Sequence, residues 1–231
     1  MENKNPTEEM KGGKTNIARS EMYVQLAIIA ILVLVIAFNG GRLYTSSGTS
    51  SEITGFATGI TTVSAAEVIP KGIPAVYGSE LGVKYDDVSA NNPQLADATI
   101  KKLTQYEDEQ LNSVQMERYK KIGSAISCEY CCGAAAIIFS NGERACGCAH
   151  SYAMRGLAKY LLIKHPDMSD DQILSELGKW KVLFFPGIHE QKAQVLKEKG
   201  IDASNYINLA SNLYRGIEKG QSAGGGMVGG C

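Results

Sequence analysis

Cysteines are concentrated in one short stretch of this chain, which runs from Ser127 to His150. Five of the six cysteines in 231 residues lie there. So many thiols over so short a span indicate one shared site rather than separate positions in a core. Soft sulfur ligands bind zinc, copper(I) and iron–sulfur clusters, and neighbouring thiols also exchange disulfides. The sequence therefore predicts a metal-binding or redox-active cluster formed from Cys128, Cys131, Cys132, Cys146 and Cys148.

The spacing of these residues favours a metal ion. Two cysteines separated by two residues, as Cys128 and Cys131 are, can both point at one zinc ion about 2.3 Å away. Cys148 lies at the predicted start of a helix, where free amide groups and a partial positive charge stabilise a thiolate. We predict a first ligand set of Cys128, Cys131, Cys146 and Cys148, with His150 as the leading substitute. Zinc is the preferred ion, and copper(I) or an iron–sulfur cluster are the alternatives.

A turn, a β-hairpin and a helix are predicted around these ligands. An apolar run is followed by an Asn-Gly pair, which favours a tight hairpin, so we predict two short strands, Ala136–Phe139 and Glu143–Cys146. The first cysteine pair lies in the turn, and the second lies at the return strand and the helix start. This layout is similar in outline to a treble-clef zinc finger, which implies zinc binding. It differs from that family in having C-x-C rather than C-x2-C as the second pair.

Two further thiols lie outside the first ligand set. Cys132 directly follows Cys131, which makes it hard to bring onto the same ion, and packing in the core is the alternative. Cys231 follows a glycine-rich stretch whose flexible reach could return it to the cluster as an additional ligand or as a resolving thiol. A tail cysteine without a role is the alternative there. The other two histidines, His165 and His189, are expected in surface or capping roles.

One segment predicts a membrane anchor. Met22–Phe38 is uncharged and almost wholly apolar. At about 1.5 Å per residue, a helix of this segment and the residues just after it can cross a hydrocarbon core of ~30 Å. Four basic residues precede the segment and only Arg42 lies close behind it, so we predict a single-pass anchor in the cell membrane with a cytoplasmic amino terminus. A cleaved signal peptide and a pilin-like amino terminus are the alternatives.

The rest of the chain predicts a mainly α-helical, extracytoplasmic domain. Its helices are indicated by apolar residues at helical spacing, by a capping box at Ser169–Gln172 and by prolines at helix boundaries. The predicted organisation is a cytoplasmic polar tail at 1–21, the anchor at 22–39, a Ser/Thr/Gly-rich tether at 40–69, the helical domain at 70–219 with its Cys-rich segment at 127–150, and a Gly-rich tail at 220–231.

Composition and motifs limit the classes of function that the sequence allows. A net charge of −1 and the lack of a basic run with interleaved aromatics predict no nucleic-acid partner. Hydrolase and nucleotide-binding motifs are absent from the sequence, whereas redox activity of the thiols is open. The preferred hypothesis is a membrane-anchored metal-binding protein, including the handover of a soft metal. The alternatives are an extracytoplasmic thiol–disulfide redox protein that uses Cys128 and Cys131, and a structural or scaffolding protein whose metal or disulfides only stabilise the fold.

Overall fold

The computed structural model describes residues 22–23, 25, 28–32, 68–219 and 227–229. It divides into two units, Met1–Ala57 and Thr58–Cys231. In the first unit the described residues are helical and exposed. Most of the predicted anchor Met22–Phe38 lies outside the described residues, as do the predicted polar tail and all but the last two residues of the tether. No helix in the described part of the chain is long and apolar enough to cross a membrane.

The second unit is mainly helical, as predicted. Two 3-10 turns, Tyr85–Asp87 and Asn212–Tyr214, accompany its α-helices. Within residues 68–219 the α-helices are α1 (Gly78–Leu81), α2 (Pro93–Thr104), α3 (Ser113–Ser124), α4 (Ala149–Lys164), α5 (Asp170–Phe184), α6 (Pro186–Glu198) and α7 (Tyr206–Ala210).

Side-chain caps and prolines determine where these helices begin. The Asn112 side chain accepts from the N–H of Gln115, whose own side chain bonds back to the Asn112 N–H, and this capping box starts α3. Ser169 and Gln172 form the predicted box at the start of α5. Pro186 opens α6, because proline has no N–H to donate and its φ angle suits the first helical turn. The signals at Ser169 and Pro186 are local, and the sequence alone predicts both of these helix starts.

The predicted β-hairpin is reduced to a single antiparallel bridge between Ile138 and Arg144. Its tight turn is present, and Gly142 adopts a φ of 92° there. The predicted strands Ala136–Phe139 and Glu143–Cys146 are wrong, because residues 68–219 contain no strand. Only the turn chemistry of the Asn-Gly pair is therefore confirmed.

Competing hydrogen bonds explain why the ladder does not extend. The Ile137 N–H donates to the Ile126 carbonyl at 3.0 Å, away from the other arm of the hairpin. The Arg155 side chain donates to the carbonyls of Ile137 and Cys146, at 3.0 and 2.9 Å. The Ile137 N–H, which would continue the ladder, thus bonds to the segment before the turn, while the Ile137 carbonyl still accepts from the Ala145 N–H across the hairpin at 3.3 Å.

The central helix is α4, which packs against α2, α3 and α5. It approaches α2 most closely at Gly156, where an added Cβ would lie 2.2 Å from the Leu103 carbonyl oxygen. Since that oxygen belongs to the backbone of a neighbouring helix, it cannot rotate away. A side chain at this position requires the two helices to separate.

We expect Gly156→Ala to lower the free energy of unfolding by about 1–3 kcal/mol, the usual cost of overpacking a core. Urea unfolding measures this effect. Gly147→Ala is the control, because an added Cβ at Gly147 meets no atom within 4 Å. Equal losses in the two variants would show that the close approach of α2 and α4 is not what requires glycine.

The segment before α2 packs on the helical domain. Tyr77 and Tyr85 are buried, and their hydroxyls donate to Glu176 of α5 at 3.0 and 2.6 Å. The Trp180 indole N–H donates to the Tyr77 hydroxyl oxygen at 2.7 Å. Trp180 is fully buried.

Candidate metal centre

The first cysteine pair lies on a tight turn just before the antiparallel bridge. The N–H groups of Cys131 and Cys132 both approach the Cys128 carbonyl oxygen, at 3.3 and 3.2 Å. Cys128 is fully buried and Cys132 is exposed. The turn therefore directs one thiol into the core and another towards the surface.

Cys148 caps the amino terminus of α4, which confirms the predicted helix start. Its sulfur accepts from the Ser151 N–H at 3.4 Å and lies 3.3 Å from the Cys128 sulfur. The hydrogen bond between the two sulfurs lowers the pKa of Cys148, and the neighbouring His150 side chain and the bonds from Ser151 lower it further. The same contact and burial raise the pKa of Cys128. These shifts favour the thiolate form at Cys148 over that at Cys128.

His150 follows in the first turn of α4 and is fully buried. Its Nε2 lies 2.8 Å from the Val228 carbonyl oxygen. A carbonyl only accepts, so Nε2 carries the proton and Nδ1 keeps a lone pair. This Nδ1 is buried, and no residue in the described part of the chain is hydrogen-bonded to it. The rings of Phe184 and Phe185 pack against the imidazole at centroid distances of 4.6 and 5.1 Å. These contacts hold the unprotonated Nδ1 in a fixed position.

Four donor atoms converge at the start of α4. The sulfurs of Cys128, Cys131 and Cys148 and one ring nitrogen of His150 all lie within 4.8 Å of one another. Three thiolates and one imidazole form a common zinc ligand set, so this cluster could bind a metal ion. No protein-family model, curated protein or solved structure matches this chain.

The structure departs from the predicted first ligand set at Cys146. Cys146 forms a disulfide with Cys132, with their Cα atoms 6.7 Å apart, so the histidine takes its place in the four-donor group. Cys131 is also disulfide-bonded, whereas Cys128 and Cys148 are free thiols. The predicted thiol Cys231 lies outside the described residues.

A buried ion pair holds the thiol segment on α4. The Arg155 Nε donates to Glu107 Oε1 at 2.7 Å, and both side chains are buried. Another guanidinium nitrogen reaches the carbonyls of Ile137 and Cys146, and Glu107 also binds Arg144. The backbone before Cys148 is therefore fixed by a charged side chain. Sequence reasoning missed this pair, because Arg155 and Glu107 are 48 residues apart and no local pattern links them.

A group of buried polar side chains lies beside the first cysteine turn. Lys181 is fully buried and donates to Glu129 and to the Ala210 carbonyl, at 2.7 and 2.8 Å. Buried polar atoms without protein partners commonly bind ordered water. Among the described residues, such atoms in this group are Glu129 Oε1, the Tyr130 hydroxyl, His189 Nε2, Lys192 Nζ and Glu218 Oε2.

The expected surface or capping role of His189 is wrong. The residue is fully buried, its Nδ1 lies 2.8 Å from the Phe185 carbonyl oxygen, and its ring centroid is 5.6 Å from that of Tyr130. Burial lowers the pKa of His189 to about 3, so its imidazole is neutral at ordinary pH. The sequence around His189 does not indicate this burial, because the residues that cover the ring come from distant segments of the chain.

We expect the stability of the protein to depend on the titration of Lys192. Burial, and secondarily Lys181, lowers the pKa of Lys192 to about 8. Between this value and the unfolded pKa of about 10.4, the unfolded chain binds more protons, so stability rises with pH. Lys192→Met removes the titration. From pH 7.5 to 10 the wild type should therefore gain roughly 1–3 kcal/mol relative to this variant.

Urea unfolding of both proteins at the two pH values measures this difference. The matched control is Lys199→Met at an exposed position nearby, for which we expect the wild-type pH profile. Parallel profiles for wild type and Lys192→Met would contradict the lowered pKa of Lys192.

Proposed function

We propose that this protein binds one zinc ion through Cys128, Cys131, Cys148 and His150. The observation that carries the proposal is His150, which has one ring nitrogen within 4.8 Å of three sulfurs and a buried Nδ1 to which no described residue is hydrogen-bonded. An unsatisfied buried polar atom costs about 1–3 kcal/mol. A metal ion at this position removes that cost, because Nδ1 then donates its lone pair to the ion.

The separations within the cluster support a single ion. Tetrahedral zinc with Zn–S bonds of about 2.3 Å places its sulfurs about 3.7 Å apart. The Cys128 and Cys148 sulfurs are 3.3 Å apart, so a small outward shift admits the ion. Copper(I) is the second candidate, because it also prefers thiolates. An iron–sulfur cluster is less well supported, since several irons spread their cysteine ligands further apart than one ion does.

The redox state of Cys131 controls whether the site is complete. Cys131 is disulfide-bonded in this structure, and a metal ligand must be a free thiolate. Reduction of that disulfide therefore precedes binding by all four donors. The Cys132–Cys146 disulfide can remain, because neither sulfur belongs to the proposed ligand set.

Elemental analysis tests the proposal. Full-length protein is reduced with a dithiol, loaded with zinc without oxygen, and freed of unbound metal. We expect about one zinc per chain, and loss of that zinc in Cys128→Ser/Cys148→Ser. The matched variant Cys132→Ser/Cys146→Ser should keep it. The reverse pattern, or wild type without metal despite free thiols, would sink the proposal.

Thiol–disulfide exchange is the second candidate function, because the Cys148 sulfur lies 3.5 Å from the Cys146 sulfur. Attack of the Cys148 thiolate on Cys146 forms a Cys146–Cys148 bond and releases Cys132 as a thiolate, which takes up a proton. Cys132 is exposed whereas Cys128 and Cys148 are buried, so electrons from an external thiol can enter at the surface and reach the interior.

Disulfide mapping in glutathione buffers of graded redox poise tests this exchange. We expect a Cys146–Cys148 or Cys128–Cys148 disulfide at intermediate poise, alongside Cys132–Cys146. Cys148→Ser should prevent both new species. Finding Cys132–Cys146 alone at every poise would exclude the relay.

We also propose that Met22–Phe38 anchors the domain on the outer side of the cell membrane. The support is the uncharged apolar run and the excess of basic residues before it. Fusing alkaline phosphatase, which is active only after export, behind Ala66 tests the orientation. An active fusion is expected, and an inactive one would contradict the proposed topology.

A further inference from the structure

A short piece of the carboxy-terminal region contacts the candidate metal centre directly. We call Met227–Gly229 the tail segment. The Val228 N–H donates to the Phe184 carbonyl at 2.9 Å, and the Val228 carbonyl faces His150 Nε2 at 2.8 Å. Val228 is only 3 % exposed. Its two backbone hydrogen bonds therefore join the end of α5 to the first turn of α4.

Gly229 extends this contact to α2. Its φ is 84°, a conformation that other residues rarely adopt. An added Cβ would lie 2.4 Å from the Ile100 Cδ1 and 3.5 Å from His150 Nε2. Only glycine fits this position without displacing Ile100 or the tail segment.

The Val228 carbonyl determines which nitrogen of His150 can bind a metal. A neutral imidazole carries its proton on either nitrogen, and a hydrogen bond to an acceptor selects one form. With Nε2 donating to Val228, the lone pair lies on Nδ1, which is then the nitrogen available to an ion held by the three sulfurs. Metal-ligating histidines generally donate their second ring N–H to such an acceptor, and losing it typically costs about 10–100-fold in metal affinity.

We infer that Val228 is a positioning residue for the metal centre, and that docking of the tail segment sets the affinity of the site by holding His150 as an Nδ1 ligand. This inference rests on the proposed zinc-binding function. Undocking of the tail weakens metal binding although the tail segment supplies none of the four ligands.

Cobalt(II) binding to the reduced full-length protein tests the effect on affinity, because its visible absorption reports the number of nitrogen and sulfur ligands. Val228→Asp places a charge in the buried position and undocks the tail segment. We expect it to bind cobalt about 10–100-fold more weakly than wild type, with a spectrum shifted towards that of His150→Ala. The matched control is Val114→Asp, at a position 72 % exposed on α3, which should bind as wild type does.

The protonation form of His150 in the metal-free protein gives a second, independent readout. Nitrogen-15 NMR should show Nε2 protonated in wild type and a mixture of both forms in Val228→Asp. Gly229→Ala provides a milder variant if Val228→Asp does not fold. An unchanged NMR pattern, or unchanged cobalt affinity and spectrum in a folded variant, overturns the inference. A third outcome separates the two proposals. If wild type binds no cobalt but its His150 NMR pattern still differs from that of Val228→Asp, the zinc proposal is wrong and the positioning of His150 by Val228 stands.

Discussion

Glu107→Gln should lower the free energy of unfolding by about 3 kcal/mol or more, because it leaves the buried Arg155 guanidinium without its anionic partner. Arg155 is fully buried, and its Nε lies 2.7 Å from Glu107 Oε1. Glutamine has nearly the same shape as glutamate, so the loss measures the charge rather than a cavity. Urea unfolding of the full-length protein measures the change.

Asp108→Asn is the matched control for this variant. Asp108 also binds Arg144, but its side chain is 86 % exposed. Exposed ion pairs contribute about 0–1 kcal/mol, so the control should unfold nearly as wild type does. Similar losses in both variants would show that the pair between Arg155 and Glu107 is not what holds the thiol segment on α4.

Removing zinc from the reduced, loaded protein should lower the melting temperature by roughly 10 °C. A ligand at about 1,000 times its dissociation constant stabilises a fold by about 4 kcal/mol, and each kcal/mol shifts the melting point of a domain this size by about 2–4 °C. The effect arises because two of the proposed ligands, Cys148 and His150, lie at the start of the central helix. Calorimetry before and after addition of a chelator measures it.

The oxidised protein provides the control for chelation. While Cys131 is disulfide-bonded, only three of the four donors are available, so chelator should leave the melting temperature of oxidised protein unchanged. A chelator effect of the same size in both redox states would argue for a metal site elsewhere. No effect in the reduced, loaded protein would argue that the metal does not stabilise the fold.

Local signals made much of the helical domain predictable. The capping box of Ser169 and Gln172 and the proline at Pro186 act within one helical turn, and both helix starts are where the sequence predicts them. The convergence of Cys128, Cys131, Cys148 and His150 also follows from short spacings around one turn and one helix start. Such features depend on neighbours in the chain, which a single sequence displays.

Features that depend on contacts between distant residues were predicted wrongly or not predicted at all. The two predicted strands fail because the Ile137 N–H bonds to the Ile126 carbonyl rather than to the other arm of the hairpin. His189 is buried by segments that no local pattern connects to it. The contact between Val228 and His150 spans 78 residues. The pairing of Cys132 with Cys146 is one of several pairings that the cysteine spacing allows, so it required the structure.

The two halves of the four-donor group differ in how readily they can move. Cys148 and His150 belong to the first turn of α4, whose residues pack against three other helices. Cys128 and Cys131 belong to a turn that is closed by two hydrogen bonds of 3.2 and 3.3 Å to one carbonyl oxygen. Opening that turn separates two ligands from the other two without unwinding the helix. For the proposed zinc site, opening of this turn is therefore the expected route by which the ion leaves.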